Sequence, residues 1–255
     1  MELRVLGCHG GETPNHRTSA FLLDGRLAID AGALTGVLDL PAQCALEACV
    51  VSHAHLDHVR DLATLADNRA QMAAPPLVVA GTDITLDILR KHFFNDLLWP
   101  DFTKIPSEET PTIVFRSLSP EVPTVLAGFT VQAVLVSHTL ECSGFVIEGE
   151  DGSLAYSGDT GPTDRFWQVL NDVERLRALL IEVSFPDEHQ LLATRSGHHT
   201  PTTLYNDLFK YKNPSDLNVL LYHMKPVFQG QVERQCAAIP GLTLAVLGLG
   251  NRFQL

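Results

Sequence analysis

Apolar residues gather in short runs from the start of the chain. Leu3 to Leu6, Ser19 to Leu23, Leu27 to Ile29 and Cys49 to Ser52 are each bounded by Gly, Asp or Pro, which predicts successive strands of one sheet. Helical periodicity is predicted over His58 to Asn68 and over Asp83 to Phe94. A second set of strands follows at Thr112 to Arg116, Phe129 to Val136, Gly144 to Glu148, Leu154 to Tyr156 and Ala178 to Glu182. Next comes a polar, His-containing stretch that reads as irregular. Pro201 then opens a helix with Thr200 as its N-cap, and the last strands fall at Asn218 to Tyr222 and Leu242 to Leu247. Two strand-rich halves, each with its own helices and no internal repeat, predict an α/β fold of four layers, an αββα sandwich, in a single domain spanning residues 1–255.

Composition narrows the partners. Lys and Arg number 18 against 30 Asp and Glu, a net charge of −12, which repels polyanions and argues against a nucleic-acid polymer as ligand. No apolar run approaches the ~18 residues of a membrane span, and the first residues lack the pattern of a secretory signal, so the expected location is cytoplasmic and no membrane is involved. The five cysteines are odd in number and widely spaced, which suits free thiols in a reducing compartment.

The chemistry is concentrated in Val-Val-Ser-His53-Ala-His55-Leu-Asp57-His58, where an apolar strand runs into three histidines and a carboxylate. At a strand end His53 and His55 point to one side, while the following turn swings Asp57 and His58 to a second position. One metal cannot comfortably use all four groups; two can, and imidazole with carboxylate suits zinc first, then manganese or iron. A binuclear site needs further ligands. His138, Asp159 and His223 each stand alone at the end of a later apolar run. Gly197-His198-His199-Thr200 offers an imidazole that Glu182 can orient, with His198 as the expected acid or transition-state stabiliser and His199 as its competitor.

In this order HAHLDH, His138, SGDT and YHMKP resemble the ligand pattern of the metallo-β-lactamase superfamily over nearly the whole chain. The resemblance implies that His53, His55 and His138 hold one metal, that Asp57, His58 and His223 hold the other, and that Asp159 bridges them. Within the superfamily the chain resembles the class II cyclic-nucleotide phosphodiesterases through Gly7-Cys-His-Gly10-Gly11, Thr18-Ser19, Ile29-Asp30-Ala-Gly32, HLDH, Asn95 with Trp99-Pro100, Ile181-Glu182-Val-Ser-Phe and His223-Met-Lys225-Pro226. It departs from that family at Arg60-Asp61 and Ala66-Asp67. The resemblance implies hydrolysis of cAMP or cGMP to the 5′-monophosphate by an activated water between two divalent cations, with Asp57 also orienting or deprotonating that water. The substrate is then a small phosphodiester.

Other residues carry plainer expectations. His9, His16, His92 and His189 are isolated and read as surface or core residues. Cys142 reads as a core thiol, although a variant site would use it as a ligand, and Lys225 and Arg195 are either phosphate contacts or solvated charges. The aromatic stretch His92 to Phe102 offers a base-stacking wall, core packing or the face of a homodimer. An RNA phosphodiesterase of the tRNA-processing type, a thioester or lactam hydrolase and a non-catalytic metal-binding protein are the alternatives on the same ligand set.

Overall fold

The computed structural model describes residues 1–255 and folds them into two seven-stranded sheets. The first is built from β1 (Glu2–Gly7), β2 (Ala20–Leu23), β3 (Leu27–Ile29), β4 (Ala48–Val50), β5 (Leu77–Gly81) and β6 (Ile113–Ser117). The second contains β7 (Thr124–Leu126), β8 (Phe129–Val136), β9 (Cys142–Gly149), β10 (Gly152–Tyr156), β11 (Leu176–Glu182), β12 (Val219–Tyr222) and β13 (Leu244–Val246). The last strand, β14 (Arg252–Gln254), returns to the first sheet and pairs antiparallel with β1.

Alternation along the strands sets the layers. Leu3, Val5, Leu27 and Ile29 share an inner core with Phe129, Val131, Ala133, Phe145 and Tyr156 from the other sheet. The opposite face of the first sheet, with Ala28, Cys49 and Val79, is covered by side chains of α1 (Leu40–Ala45), α3 (Asp61–Gln71) and α4 (Asp83–His92). The outer face of the second is covered by α5 (Arg165–Asp172), α7 (Pro201–Leu208) and α8 (Gln229–Ala237). Three apolar layers between two sheets and their helices make the αββα sandwich expected from the sequence.

Most predicted strands lie within one or two residues of their observed limits; β11 starts at Leu176 and Leu242 to Leu247 shrinks to Leu244–Val246. The predicted helix His58 to Asn68 is instead two pieces, a short α2 (Leu56–Val59) and then α3. The break has a backbone cause. Asp61 N donates to Ala31 O, and His58 O accepts from Ala31 N, so these groups bond to the Asp30 turn rather than along the helix. The stretch expected to be irregular after Glu182 contains α6 (Gln190–Ser196), whose only buried side chain is Ala193; with Leu191 and Leu192 exposed, no helical apolar face was legible. Three-residue β7 and β14, with one buried position between them, were likewise unmarked, as was the largely buried β5.

All five cysteines are free, four of them buried, and burial pushes the Cys8 and Cys236 thiols up to about 12. No helix is long and apolar enough to cross a membrane.

The Asp30 turn and the turn carrying Asp57 are in direct contact at Gly32. A Cβ there would lie 2.1 Å from Asp57 O and 2.8 Å from Ser19 O, both backbone atoms with no freedom to yield. Gly32→Ala is therefore expected to destabilise the fold by about 1–3 kcal/mol and lower Tm by several degrees, whereas Gly36→Ala, with open space around its Cβ, leaves Tm nearly unchanged. Differential scanning calorimetry of the two variants checks this; equal Tm values would remove the packing argument.

Candidate metal centre

The topology delivers donors to one end of both sheets. Strands β10, β11 and β12 are parallel, and β8 shares their direction because both β8 and β10 pair antiparallel with β9. His138, Asp159, Glu182 and His223 therefore leave β8, β10, β11 and β12 at the same carboxyl edge. From the first sheet, β4 runs parallel to β3 and β5 and ends just before Ser52-His53.

Two groups of donors form. His53 Nε2 lies 3.0 Å from His55 Nδ1, and His138 Nε2 lies 3.2 Å from the same atom. In the second group His58 Nε2 and His223 Nε2 are 3.3 Å apart, and Asp57 Oδ2 is 3.4 Å from His223 Nε2. Asp159 stands between the groups. Its Oδ1 is 3.3 Å from His58 Nε2, while its Oδ2 is 3.3 Å from His223 Nε2 and 3.8 Å from His53 Nε2. All seven residues proposed from the sequence as ligands are thus brought together.

The surrounding hydrogen bonds fix which ring nitrogens face inward. His58 Nδ1 donates to Asp30 Oδ2 at 2.7 Å and His138 Nδ1 donates to Gly197 O at 2.9 Å, which leaves Nε2 of each ring aimed into the cluster. Potential ligand atoms crowd one another at these distances, and Asp159 Oδ1 is buried with no hydrogen-bond partner. A divalent cation satisfies both conditions, and the donor set of imidazole and carboxylate is one that transition-metal ions take. The residues fit divalent metal binding.

The protonation balance reflects the crowding. Burial opposes charge on Asp57, yet the hydrogen bond to His223 and the nearness of His58 hold its carboxyl well below the usual range. His53, wholly buried beside other imidazoles, is pushed down and stays neutral.

Glu182 and His198 form a second unit beside the cluster. Glu182 is fully buried; its Oε1 accepts from His198 Nδ1 at 2.7 Å and Thr160 N at 3.1 Å, and its Oε2 accepts from Ser184 Oγ at 2.9 Å. Burial alone would lower the proton affinity of His198, but the Glu182 carboxylate outweighs it and raises the pKa. With Nδ1 engaged, Nε2 is the free position.

His199, the competing candidate, is turned away. Its Nδ1 lies 3.1 Å from Thr203 Oγ1, and its Nε2 is 3.7 Å from Asp207, which accepts from Trp167 Nε1 and Thr163 N. It belongs to the packing between α5 and α7. Cys142 Sγ sits 3.6 Å from His53 Nδ1, behind the ring and away from the cluster. Arg195 is exposed on α6.

Asp30 is the residue whose role the sequence reading did not identify. Its carboxylate is fully buried and accepts from His58 Nδ1, Ser52 Oγ, Ser52 N and Tyr156 OH, so one side chain ties both sheets to the second donor group. An Asp closing an apolar strand before Ala-Gly was the available signal. Asp30 and His223 also hold left-handed backbone, φ +57° and +68°. That is a strain of about 1–3 kcal/mol each for a residue with a side chain, and such strain concentrates at functional sites. Asp30 N donates to Val50 O and His223 N donates to Cys8 O, which holds both conformations in place.

Comparison with known proteins gives a consistent picture. The family model described as the beta-lactamase superfamily domain matches residues 33–212. A probable 3′,5′-cyclic-nucleotide phosphodiesterase of Yersinia pestis is 28% identical over 98% of this chain and 84% of its own length. A 3′,5′-cyclic-nucleotide phosphodiesterase of Aliivibrio fischeri is 30% identical over 69% of this chain, which spans only 58% of that relative. The crystal structure of unliganded yeast PDE1 superposes with a TM-score of 0.82 at 19% identity, covering 100% of this chain and 99% of that one, a likeness of fold. Since the family model takes in well over half of the sequence and the same sandwich carries the donor cluster, the chain belongs to the beta-lactamase superfamily, as a hydrolase of the metallo-β-lactamase fold.

Proposed function

We propose that this chain is a binuclear metal-dependent phosphodiesterase that hydrolyses 3′,5′-cyclic nucleotides, cAMP or cGMP, to 5′-monophosphates. The observation that carries the reading is the convergence of seven imidazole and carboxylate donors in two groups around Asp159, with the Glu182–His198 pair alongside. The names of the Yersinia and Aliivibrio relatives support the substrate class. The acidic surface, net −12, favours a small diester over a nucleic-acid polymer.

In this reading His53, His55 and His138 hold one cation, Asp57, His58 and His223 hold the other, and Asp159 reaches both; zinc suits the donors first, manganese or iron next. When bound, such cations supply Lewis-acid neutralisation of the phosphoryl charge and make water more acidic. Asp57, about one-third exposed, orients the attacking water, whose proton passes to solvent. Attack on phosphorus breaks the bond to the 3′ oxygen. His198 Nε2–H donates a proton to that oxygen as it departs, and Glu182 holds the ring in the required tautomer and stabilises its charged form.

Steady-state hydrolysis of cAMP and cGMP by metal-reconstituted protein, beside bis(p-nitrophenyl) phosphate, tests the reading. The expected kcat/KM for a cyclic nucleotide is at or above ~10⁴ M⁻¹s⁻¹, with Asp159→Ala inactive. Turnover of the generic diester alone would reject the substrate and keep the metal centre.

His198→Ala is expected to lower kcat by roughly 10²–10⁴-fold while metal content, read by plasma mass spectrometry, stays near wild type; loss of metal would instead make His198 a ligand. His199→Ala should lower Tm and leave kcat of the folded fraction close to wild type. Asp30→Asn, which leaves the His58 ring less firmly oriented, is expected to weaken metal binding by about 10–100-fold in a chelator competition.

A further inference from the structure

One wall of the site is made of rings. The His198 ring centroid lies 5.7 Å from that of Phe185, Phe185 lies 5.9 Å from Phe228, and Phe228 lies 4.7 Å from His189. The row begins beside the donor cluster and ends in solvent, since Phe185 is buried, Phe228 half-buried and His189 exposed. Val227, 82% exposed, extends the apolar surface next to Phe228.

At the inner end stands Lys225. It is half-buried, pairs with no carboxylate and makes no side-chain hydrogen bond. Its stem packs against Gly10, where a Cβ would come within 3.0 Å of Lys225 Cδ and 2.4 Å of His223 O, so only glycine leaves the lysine this path. Its charge acts on both His198 and His223. A half-buried ammonium with no protein anion beside it is matched by an anion on the ligand.

Of the readings offered by the sequence for His92 to Phe102, core packing is the one its phenylalanines follow. Phe93, Phe94 and Phe102 are core residues on the helical side of the first sheet, and Trp99 Nε1 donates to Ala63 O. No other run of rings extends outward from His198.

We propose that Lys225 and the Phe185–Phe228–His189 row form the nucleotide subsite, with the phosphodiester anion at Lys225 and the base lying along the rings. The proposal rests on the cyclic-nucleotide reading given above. Stacking of this kind accepts any base, because each has an aromatic face. Glu188, beside His189 in the chain, accepts hydrogen bonds from Gln231 and Gln235 through Oε2. Tolerance of both adenine and guanine follows.

Isothermal titration of metal-loaded protein with AMP and with ribose 5-phosphate tests the subsite, because the two ligands share the phosphate and differ by the base. Wild type is expected to bind AMP more tightly. His189→Ala, at an exposed position, and Phe228→Leu, which keeps apolar bulk at the start of α8, are each expected to weaken AMP by roughly fivefold or more and to leave ribose 5-phosphate unchanged, with Tm near wild type. Lys225→Met should weaken both ligands alike. Equal affinity of wild type for the two ligands, or unchanged AMP affinity in both ring variants, would overturn the subsite. The same proteins separate this idea from the one beneath it. Cyclic-nucleotide turnover with an unaltered KM in both ring variants removes the subsite and keeps the function; base-dependent binding without any such turnover keeps the subsite and removes the function.

Discussion

Seven nitrogen and oxygen donors are pressed together at the end of two sheets, and much of the nearby structure exists to hold them in place. In the absence of a cation the inward-facing atoms stand at hydrogen-bond distance from one another. Rigidity has to come from behind. Asp30 fastens the His58 ring, Ser52 and Tyr156 at once, Gly197 O accepts a hydrogen bond from His138 Nδ1, and Ser184 lies against the His223 ring while bonding to Glu182. These contacts are buried, where a hydrogen bond is electrostatically strong and an unmade one expensive.

The two sheets contribute unequally. The first supplies the dense run His53 to His58 on one turn, braced by the Asp30 turn through the backbone bonds of Ala31. The second supplies isolated donors from three separate strand ends, those of β8, β10 and β12, and their alignment is a product of strand direction alone. A cluster divided between two sheets can persist only while the sheets remain docked, so the inner core around Phe21, Phe145 and Tyr156 is part of the site as well as part of the fold. Tyr156 makes the link explicit, since its ring packs between the sheets and its hydroxyl donates to Asp30.

What the sequence made legible follows the same division. Histidines crowded after an apolar strand and lone His or Asp residues closing later ones are local patterns, and the structure brings all of those residues together. Roles set by three-dimensional neighbours were not readable. His198 and His199 are adjacent in the chain, and only the packing of α5 and α7 shows that Asp207 and Thr203 draw the second ring away. The aromatic run His92 to Phe102 suggested a pocket because composition does not reveal which side of a sheet a segment covers. Phe185, Phe228 and His189, scattered over the C-terminal third of the chain, drew no attention as a group until the fold joined them. Likewise the break between α2 and α3 arises from a distant turn that captures backbone groups, which no helical periodicity encodes.

Electrostatics joins stability to activity. Asp30, Asp57, Asp159 and Glu182 place four carboxylates in and around the site, on a chain that is already acidic overall. Lys225 alone cannot reverse that field for an incoming phosphate anion. The cations that fit the cluster do reverse it, because a bound divalent ion is the largest local charge in such a site. The same ions bind the folded arrangement and have no comparable site in the unfolded chain, so they stabilise the fold by mass action while making the pocket attractive to an anion. Under the proposed function, the crowded donors thus become selectivity: the pocket that would accept a phosphodiester is available only in the form that would also cleave it.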